Sequence, residues 1–282
     1  MLILGHRGTI GKRVSQNSLP AFAEALDVAD GFETDACLTS DGALFLIHEA
    51  NNEAGIAEHL DFGSSAKVRG KRLHRLTAAM VQSLRLKHGE PIPTLEHALD
   101  LVGQKTGKLI NIELKGFGVA EPVLNILRDY LARGAIKLEA ILVSSFHHDA
   151  LRYVRRAMPE LKLGALVVSD NENGKPLFSY HDEAEAKAAR YIGLTEALAS
   201  PIMREINPAL FVMPEKLLTF ATIEKIATPF PEAQLCGWTV TERHDYDAKD
   251  LLNRLTSLQP TGKIAAMIVD DPVAFSEAWM RR

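Results

Sequence analysis

Short apolar runs of five to seven residues alternate with longer stretches of helical periodicity along the whole chain, and few architectures accommodate that rhythm. The runs are MLILGH (1–6), GFETD (31–35), LFLIH (44–48), LINIEL (109–114), AILVSS (140–145), KLGALVV (162–168), ALFVM (209–213), LCGWTV (235–240) and AAMIVD (265–270). Between them, residues 18–29, 94–103, 121–134, 149–158, 215–227 and 247–258 repeat apolar side chains at helical spacing. Strand followed by helix, many times over, marks a mostly parallel sheet. LFLIH follows GFETD across a turn containing SDG, so that pair reads as a hairpin rather than a crossover. Eight strand–helix units remain, and they predict a (β/α)8 TIM barrel as one domain over 1–282. YIGL (191–194) competes with ALFVM for one strand position. Residues 49–93 hold no strong barrel strand and read as a small insertion after the second strand, lying over the top of the barrel.

Composition excludes several classes. Of the 282 residues 46 % are hydrophobic and 24 % charged, as in an ordinary folded globule. The net charge of −4 and the lack of a long basic run argue against a nucleic-acid partner. The basic cluster KVRGKRLHR (67–75) reads as a solvated loop. No apolar run approaches the ~20 residues of a membrane span, so stable membrane insertion is not expected. The N-terminus has no basic region followed by a long apolar stretch, and the two cysteines, Cys37 and Cys236, lie in apolar segments as free thiols. The expectation is a cytoplasmic protein. Oligomeric state is not legible.

The polar residues gather where the strands end. The first ends in His6 and Arg7, held between Gly5 and Gly8; the second carries Glu33 and Asp35; the hairpin strand ends in His48 and Glu49. Glu113 and Lys115 follow from LINIELK, Trp238 from the seventh strand, and Asp270 and Asp271 from the eighth. In a (β/α)8 barrel these ends form the rim where active sites are built. Glu33 and Asp35, two apart on a strand, share a face and repel unless a cation lies between them. With Glu113 they make three hard oxygen donors, which suit Mg²⁺ or Ca²⁺ and not zinc. His6 and His48 at one rim can serve as acid and base. Arg7 and Lys115 offer a bidentate fork and a point charge to a phosphate. Metal, two histidines and two cations around one anion describe phosphodiester cleavage.

With these residues in view the sequence resembles the glycerophosphodiester phosphodiesterase family, relatives of phosphatidylinositol-specific phospholipase C. HRG (6–8), QNS followed by AF (16–22), FETDACLTSDG (32–42), IHE (47–49), PIPTLEHAL (91–99), NIELKG (111–116), SSF (144–146), WTV (238–240) and IVDDP (268–272) carry the resemblance. It implies a metal-dependent phosphoric diester hydrolase of lipid metabolism that releases glycerol 3-phosphate and an alcohol. It also implies Glu33, Asp35 and Glu113 as metal ligands and His6 and His48 as general acid and base. Arg7 and Lys115 would contact phosphate, and Trp238 would line the pocket under the alcohol. The partner expected is a small-molecule phosphodiester. The chemistry the resemblance implies is attack on phosphorus by an internal hydroxyl, formation of a cyclic phosphate, and its opening by water.

Three positions depart from the family's usual pattern: Gln16 stands where ENT carries its Glu, Glu49 where His-Asp carries its Asp, and Thr241 where Asn follows WTV. They keep open the same chemistry on a sugar phosphodiester of the agrocinopine type or on a lysophospholipid. A catalytically silent phosphoester-binding barrel is the remaining alternative. The insertion is expected to set specificity for one half of the substrate.

Overall fold

The computed structural model describes residues 1–8, 13–49, 55–116, 118–177, 190–241 and 248–281. Residues 50–54 of the expected insertion and residue 247 of one helical pattern lie outside them. The strands are β1 (Leu2–Gly5), β2 (Gly31–Leu38), β3 (Leu44–Leu46), β4 (Leu109–Leu114), β5 (Ile141–Ser145), β6 (Lys162–Leu166), β7 (Leu210–Pro214), β8 (Gln234–Val240) and β9 (Ile264–Val269). All are parallel neighbours except β3, which runs antiparallel to β2. The order β1-β9-β8-β7-β6-β5-β4-β2, with β1 also pairing β2, closes an eight-stranded barrel. The competition between YIGL and ALFVM resolves in favour of Leu210–Pro214; Gly193 makes only an isolated parallel bridge to Val168.

The helices are α1 (Leu19–Val28), α2 (Phe62–Val68), α3 (Ala78–Gln82), α4 (Leu95–Gly103), α5 (Ala120–Ala132) and α6 (His148–Ala157). They continue as α7 (Leu194–Ala199), α8 (Pro201–Ile206), α9 (Phe220–Ala227), α10 (Ala248–Leu258) and α11 (Pro272–Met280). Among the described residues no helix is long and apolar enough to cross a membrane. Local chemistry starts α1: the Ser18 side chain accepts from Ala21 N at 3.3 Å, and Pro20 sits in the first turn. Phe22 of α1 then stacks on Phe32 of β2, ring centroids 4.3 Å apart. Phe32 and Ala36 thus face the shell of helices, and strand alternation turns Glu33 and Asp35 to the opposite, barrel-interior face. Deeper in the interior, Leu4, Val212, Cys236, Ala266 and Ile268 form a separate apolar plug.

One feature of the pairing positions the site. β4 covers one edge of β2 from Gly31 to Ala36. The other edge is shared: β1 pairs with Gly31 and Phe32, and β3 takes over from Ala36 to Leu38. Because β1 stops at Gly5, the hairpin strand fills its place at the rim. His6 and His48 therefore arrive on the same side of the carboxylate-bearing strand.

Residues 55–93 build a layer with its own apolar cluster. Ile56, Leu60, Leu73, Leu76, Val81, Leu84, Leu86 and Ile92 pack on Cys37, Phe45 and Ile47 of the hairpin. The basic run is not the plain loop expected of it. Val68 ends α2 and Leu73 opens a 3-10 turn, and both are buried, while Lys67, Arg69, Lys71 and Arg75 are exposed. Interleaved apolar residues gave the run two anchors that a charge count overlooks.

Candidate active site

GHRG is a tight turn whose glycines are sterically required. A Cβ on Gly5 would stand 2.0 Å from the carbonyl oxygen of Gly8, and one on Gly8, at φ +88°, would stand 2.7 Å from the Ala21 backbone. Between them Arg7 takes a left-handed φ of 53°. That conformation is held from both sides: Arg7 N donates to Glu33 Oε2 at 3.1 Å, and Asn17 N donates to the Arg7 carbonyl at 2.8 Å. Strain of this kind persists where surrounding contacts over-determine it.

The carboxylates of Glu33, Asp35 and Glu113 converge, with one oxygen from each lying within 4.8 Å of the others, and all three side chains are buried. Lys115 Nζ lies 2.7 Å from Glu113 Oε1 and 3.2 Å from Asp35 Oδ1, and Arg7 Nε is 3.2 Å from Asp35 Oδ2. Asn17 Nδ2 donates to the same Oδ2 at 2.9 Å and is itself fixed by Thr34 Oγ1 at 2.7 Å. Burial opposes the Asp35 charge, yet Lys115 and Arg7 hold its carboxyl well below the usual range. Glu33 is covered less: Arg7 N donates to its Oε2, and the Arg7 and Lys115 charges do not outweigh what opposes its ionisation. Burial, with Asp35 and Glu113 as like charges, pushes it well above the usual range, and its Oε1 is buried without a hydrogen-bond partner. Burial also raises Glu113, against the pull of Lys115. A buried hard-oxygen triad with one orphaned carboxylate oxygen fits a divalent cation.

His6 Nδ1 lies 2.7 Å from Asp270 Oδ1 at the end of β9. A carboxylate only accepts, so Nδ1 carries the proton and Nε2 presents its lone pair. Burial and the Arg7 charge lower the His6 pKa, and Asp270 works against them. His48 has no such partner: its Nδ1 is buried and unpaired among the described residues, and burial together with Arg7 pushes the imidazole well below its ordinary value.

His6, Arg7, Glu33, His48, Glu113, Lys115 and Trp238 line one cavity of about 220 Å³. Asp35 lies behind Arg7 and Lys115. The eight residues given site roles from the sequence are therefore brought together, whereas Asp271 instead caps α11, its carboxylate accepting from Ala274 N at 2.8 Å. Phe146 makes edge-to-face contacts with Trp238 at 5.8 Å and Tyr191 at 5.0 Å, which gives the cavity an aromatic wall.

Sequence reasoning did not assign roles to several neighbours. Asp270 was visible at a strand end, but nothing local pointed it at His6, 264 positions away. Asn17 lies in the QNS motif, yet only the fold shows that it holds Asp35. Asn111 and Ser144 line the cavity with buried polar atoms, and His147 joins them from the segment before α6. The departures also find places. The Gln16 amide accepts from Arg7 Nη1 at 2.5 Å, with its nitrogen 3.0 Å from His59 Nδ1. The Glu49 carboxylate accepts from Leu73 N at 2.9 Å and lies 4.0 Å from Arg72 Nη1, so it ties the hairpin to the layer of residues 55–93.

The chain is similar to several known proteins. A glycerophosphodiester phosphodiesterase from Caldanaerobacter subterraneus is 32 % identical over 176 residues, 58 % of this chain and 66 % of that protein. Another from Bacillus altitudinis is 33 % identical over 180 residues, 59 % of this chain and 66 % of its own. The chain thus spans about two thirds of the length of these relatives. A solved phosphodiesterase from Oleispira antarctica, in complex with the product sn-glycerol-3-phosphate, superimposes with a TM-score of 0.65 at 17 % identity, covering 99 % of this chain and 96 % of that one. At that identity the likeness is one of fold. Residues 6–209 match the model of the glycerophosphoryl diester phosphodiesterase family, and the chain belongs to that family.

Proposed function

We propose that this chain hydrolyses glycerophosphodiesters to glycerol 3-phosphate and an alcohol. The observation that carries the reading is one cavity holding a His–Asp pair, a second imidazole, two cations and a buried carboxylate triad. Glu33, Asp35 and Glu113 would hold the divalent cation, Mg²⁺ or Ca²⁺. When bound, the ion supplies a Lewis acid that stabilises charge on the phosphoryl oxygens.

Arg7 and Lys115 clamp the phosphodiester, and its negative charge raises the pKa of both nearby imidazoles. His6 Nε2 removes the proton from the substrate hydroxyl next to the phosphoester. Asp270 holds the correct tautomer and stabilises the imidazolium that forms. The hydroxyl oxygen bonds to phosphorus as the bond to the leaving alcohol breaks, and protonated His48 gives that oxygen its proton. The cyclic phosphate is opened by water in the reverse sense. His48 takes the water proton, and His6 returns its own to the ring oxygen. Intramolecular attack gains its rate from proximity.

The cavity is smaller than the ~300–1,000 Å³ of drug-sized sites, so it suits a polar head and not a whole lipid. The aromatic wall favours a second reading in which an apolar portion continues outward, as in a lysophospholipid. A sugar phosphodiester is the other alternative. The layer formed by residues 55–93 would contact that distal half. The test is hydrolysis of glycerophosphocholine, a lysophospholipid and a sugar phosphodiester, with Mg²⁺ or Ca²⁺ and with EDTA, followed by ³¹P NMR. Metal-dependent release of glycerol 3-phosphate from glycerophosphocholine is expected. Cleavage of none of the three in the presence of metal would overturn the reading.

A further inference from the structure

We infer that His59, carried by the layer packed on the β2–β3 hairpin, is a positioning residue of the catalytic rim: it fixes Arg7 through Gln16 and holds the ring of His48 by an edge-to-face contact. The inference rests on the proposed function only in giving Arg7 and His48 their roles.

The first link is set by hydrogen-bond chemistry. A guanidinium only donates, so the Gln16 atom 2.5 Å from Arg7 Nη1 is the carbonyl oxygen. The amide nitrogen then faces His59 Nδ1 at 3.0 Å. That nitrogen only donates, so Nδ1 accepts and His59 is the neutral tautomer protonated on Nε2. Burial and the Arg7 charge push this imidazole down to about 4, which keeps it neutral near pH 7. A Glu at position 16 could accept from Arg7, but it would add a charge at the rim and would require His59 to switch tautomer and donate from Nδ1. The Gln16–His59 pair is therefore a matched device, and it steers the Arg7 fork without placing another charge at the rim.

The second link concerns His48. His6 is oriented by Asp270, whereas His48 Nδ1 finds no hydrogen-bond partner among the described residues. With no hydrogen bond at Nδ1, packing takes a larger share in setting the orientation of its ring. The His59 ring meets it at 5.6 Å between centroids with an interplanar angle of 83°. His59 is 6 % exposed and sits at the end of the 3-10 turn Gly55–His59, flanked by Ile56 and Leu60 in the apolar cluster. A residue so anchored can hold a neighbour still.

Two substitutions separate the links. His59→Phe keeps a ring against His48 and removes the acceptor for Gln16. His59→Asn keeps an acceptor near the Nδ1 position and removes the ring. One lost hydrogen bond corresponds to roughly a 2- to 10-fold effect. His59→Phe is expected to raise KM, and Kd for inorganic phosphate, by about that factor with kcat little changed. His59→Asn is expected to leave phosphate affinity in place and lower kcat by about 10-fold. Gln16→Leu should reproduce His59→Phe and stands in for it if that variant does not fold. Independently of turnover, the His48 Cε1–H resonance in ¹³C-histidine-labelled protein, identified by its loss in His48→Gln, should move in His59→Asn and far less in His59→Phe. If the wild type cleaves no phosphodiester, the proposed function fails, while phosphate affinity and the His48 resonance still decide the present inference. Variants that match the wild type in both, or that shift both alike, overturn it.

Discussion

Asp270 is the most informative residue to change. Among the described residues its carboxylate pairs with His6, so its loss bears first on the proton-transfer step. The His6–Asp270 contact is 2.7 Å, with both side chains 17 % exposed. A hydrogen bond to a charged group contributes about 1.5–3 kcal/mol, and a neutral one about 0.5–1.5 kcal/mol. Asp270→Ala loses the whole contribution as positive charge develops on His6, which corresponds to about a 10- to 150-fold fall in kcat. Asp270→Asn keeps a neutral acceptor and loses only the charge-assisted share, roughly 10-fold. KM should stay within about twofold, since uniform binding is untouched. The pH profile adds a second reading. Asp270 raises the His6 pKa against burial and Arg7. Without it His6 stays unprotonated to lower pH, and the acid limb of kcat/KM moves down in pH even as the maximal rate falls. Steady-state kinetics on glycerophosphocholine across pH measure both. Two variants with wild-type kcat and an unmoved acid limb would refute the assignment of His6 as the oriented base.

Asp35→Asn removes one acidic donor and the shared partner of Arg7, Lys115 and Asn17. Activity should fall by at least about 100-fold, the upper range for outer partners of a metal site, and bound metal, measured by elemental analysis, should be lost; full metal content at normal rate would make the carboxylate merely structural. Gly8→Ala places a Cβ 2.7 Å from the Ala21 backbone at a φ of +88° and should cost about 1–3 kcal/mol in urea unfolding; an unchanged midpoint would show that the turn relaxes freely. Glu49→Gln keeps the acceptor for Leu73 N and removes a buried charge. Burial raises the Glu49 pKa, so the stability of the protonated form is present below the unfolded-state pKa of about 4.3 and is lost as pH rises through the folded value. The variant should therefore gain in Tm over the wild type as pH rises toward neutrality, and a constant Tm difference across that range counts against the account.

The sequence by itself determined the fold class and most of the chemical inventory. Periodicities of two and near 3.6 are local, and they placed the strands and the helices α1, α4, α5, α6, α9 and α10, while the short or weakly amphipathic α2, α3, α7, α8 and α11 went unread. The spacing in Glu33-Thr34-Asp35 puts both carboxylates on one strand face whatever lies around them, and the glycines of GHRG announce a close turn. Tertiary structure decided which of these meet. β1 is too short to cover the whole edge of β2, so β3 completes it and brings His48 to the cavity that His6 also lines. Barrel closure sets Asp270 against His6 across 264 positions, and no local pattern encodes that distance. His59 looks like one more polar residue in an irregular segment until the layer of residues 55–93 packs on Phe45 and Ile47 and sets its ring against His48. Backbone preference is written over a few neighbouring residues. The orientation of an imidazole or a guanidinium depends on side chains from other strands, which become neighbours only when the sheet closes.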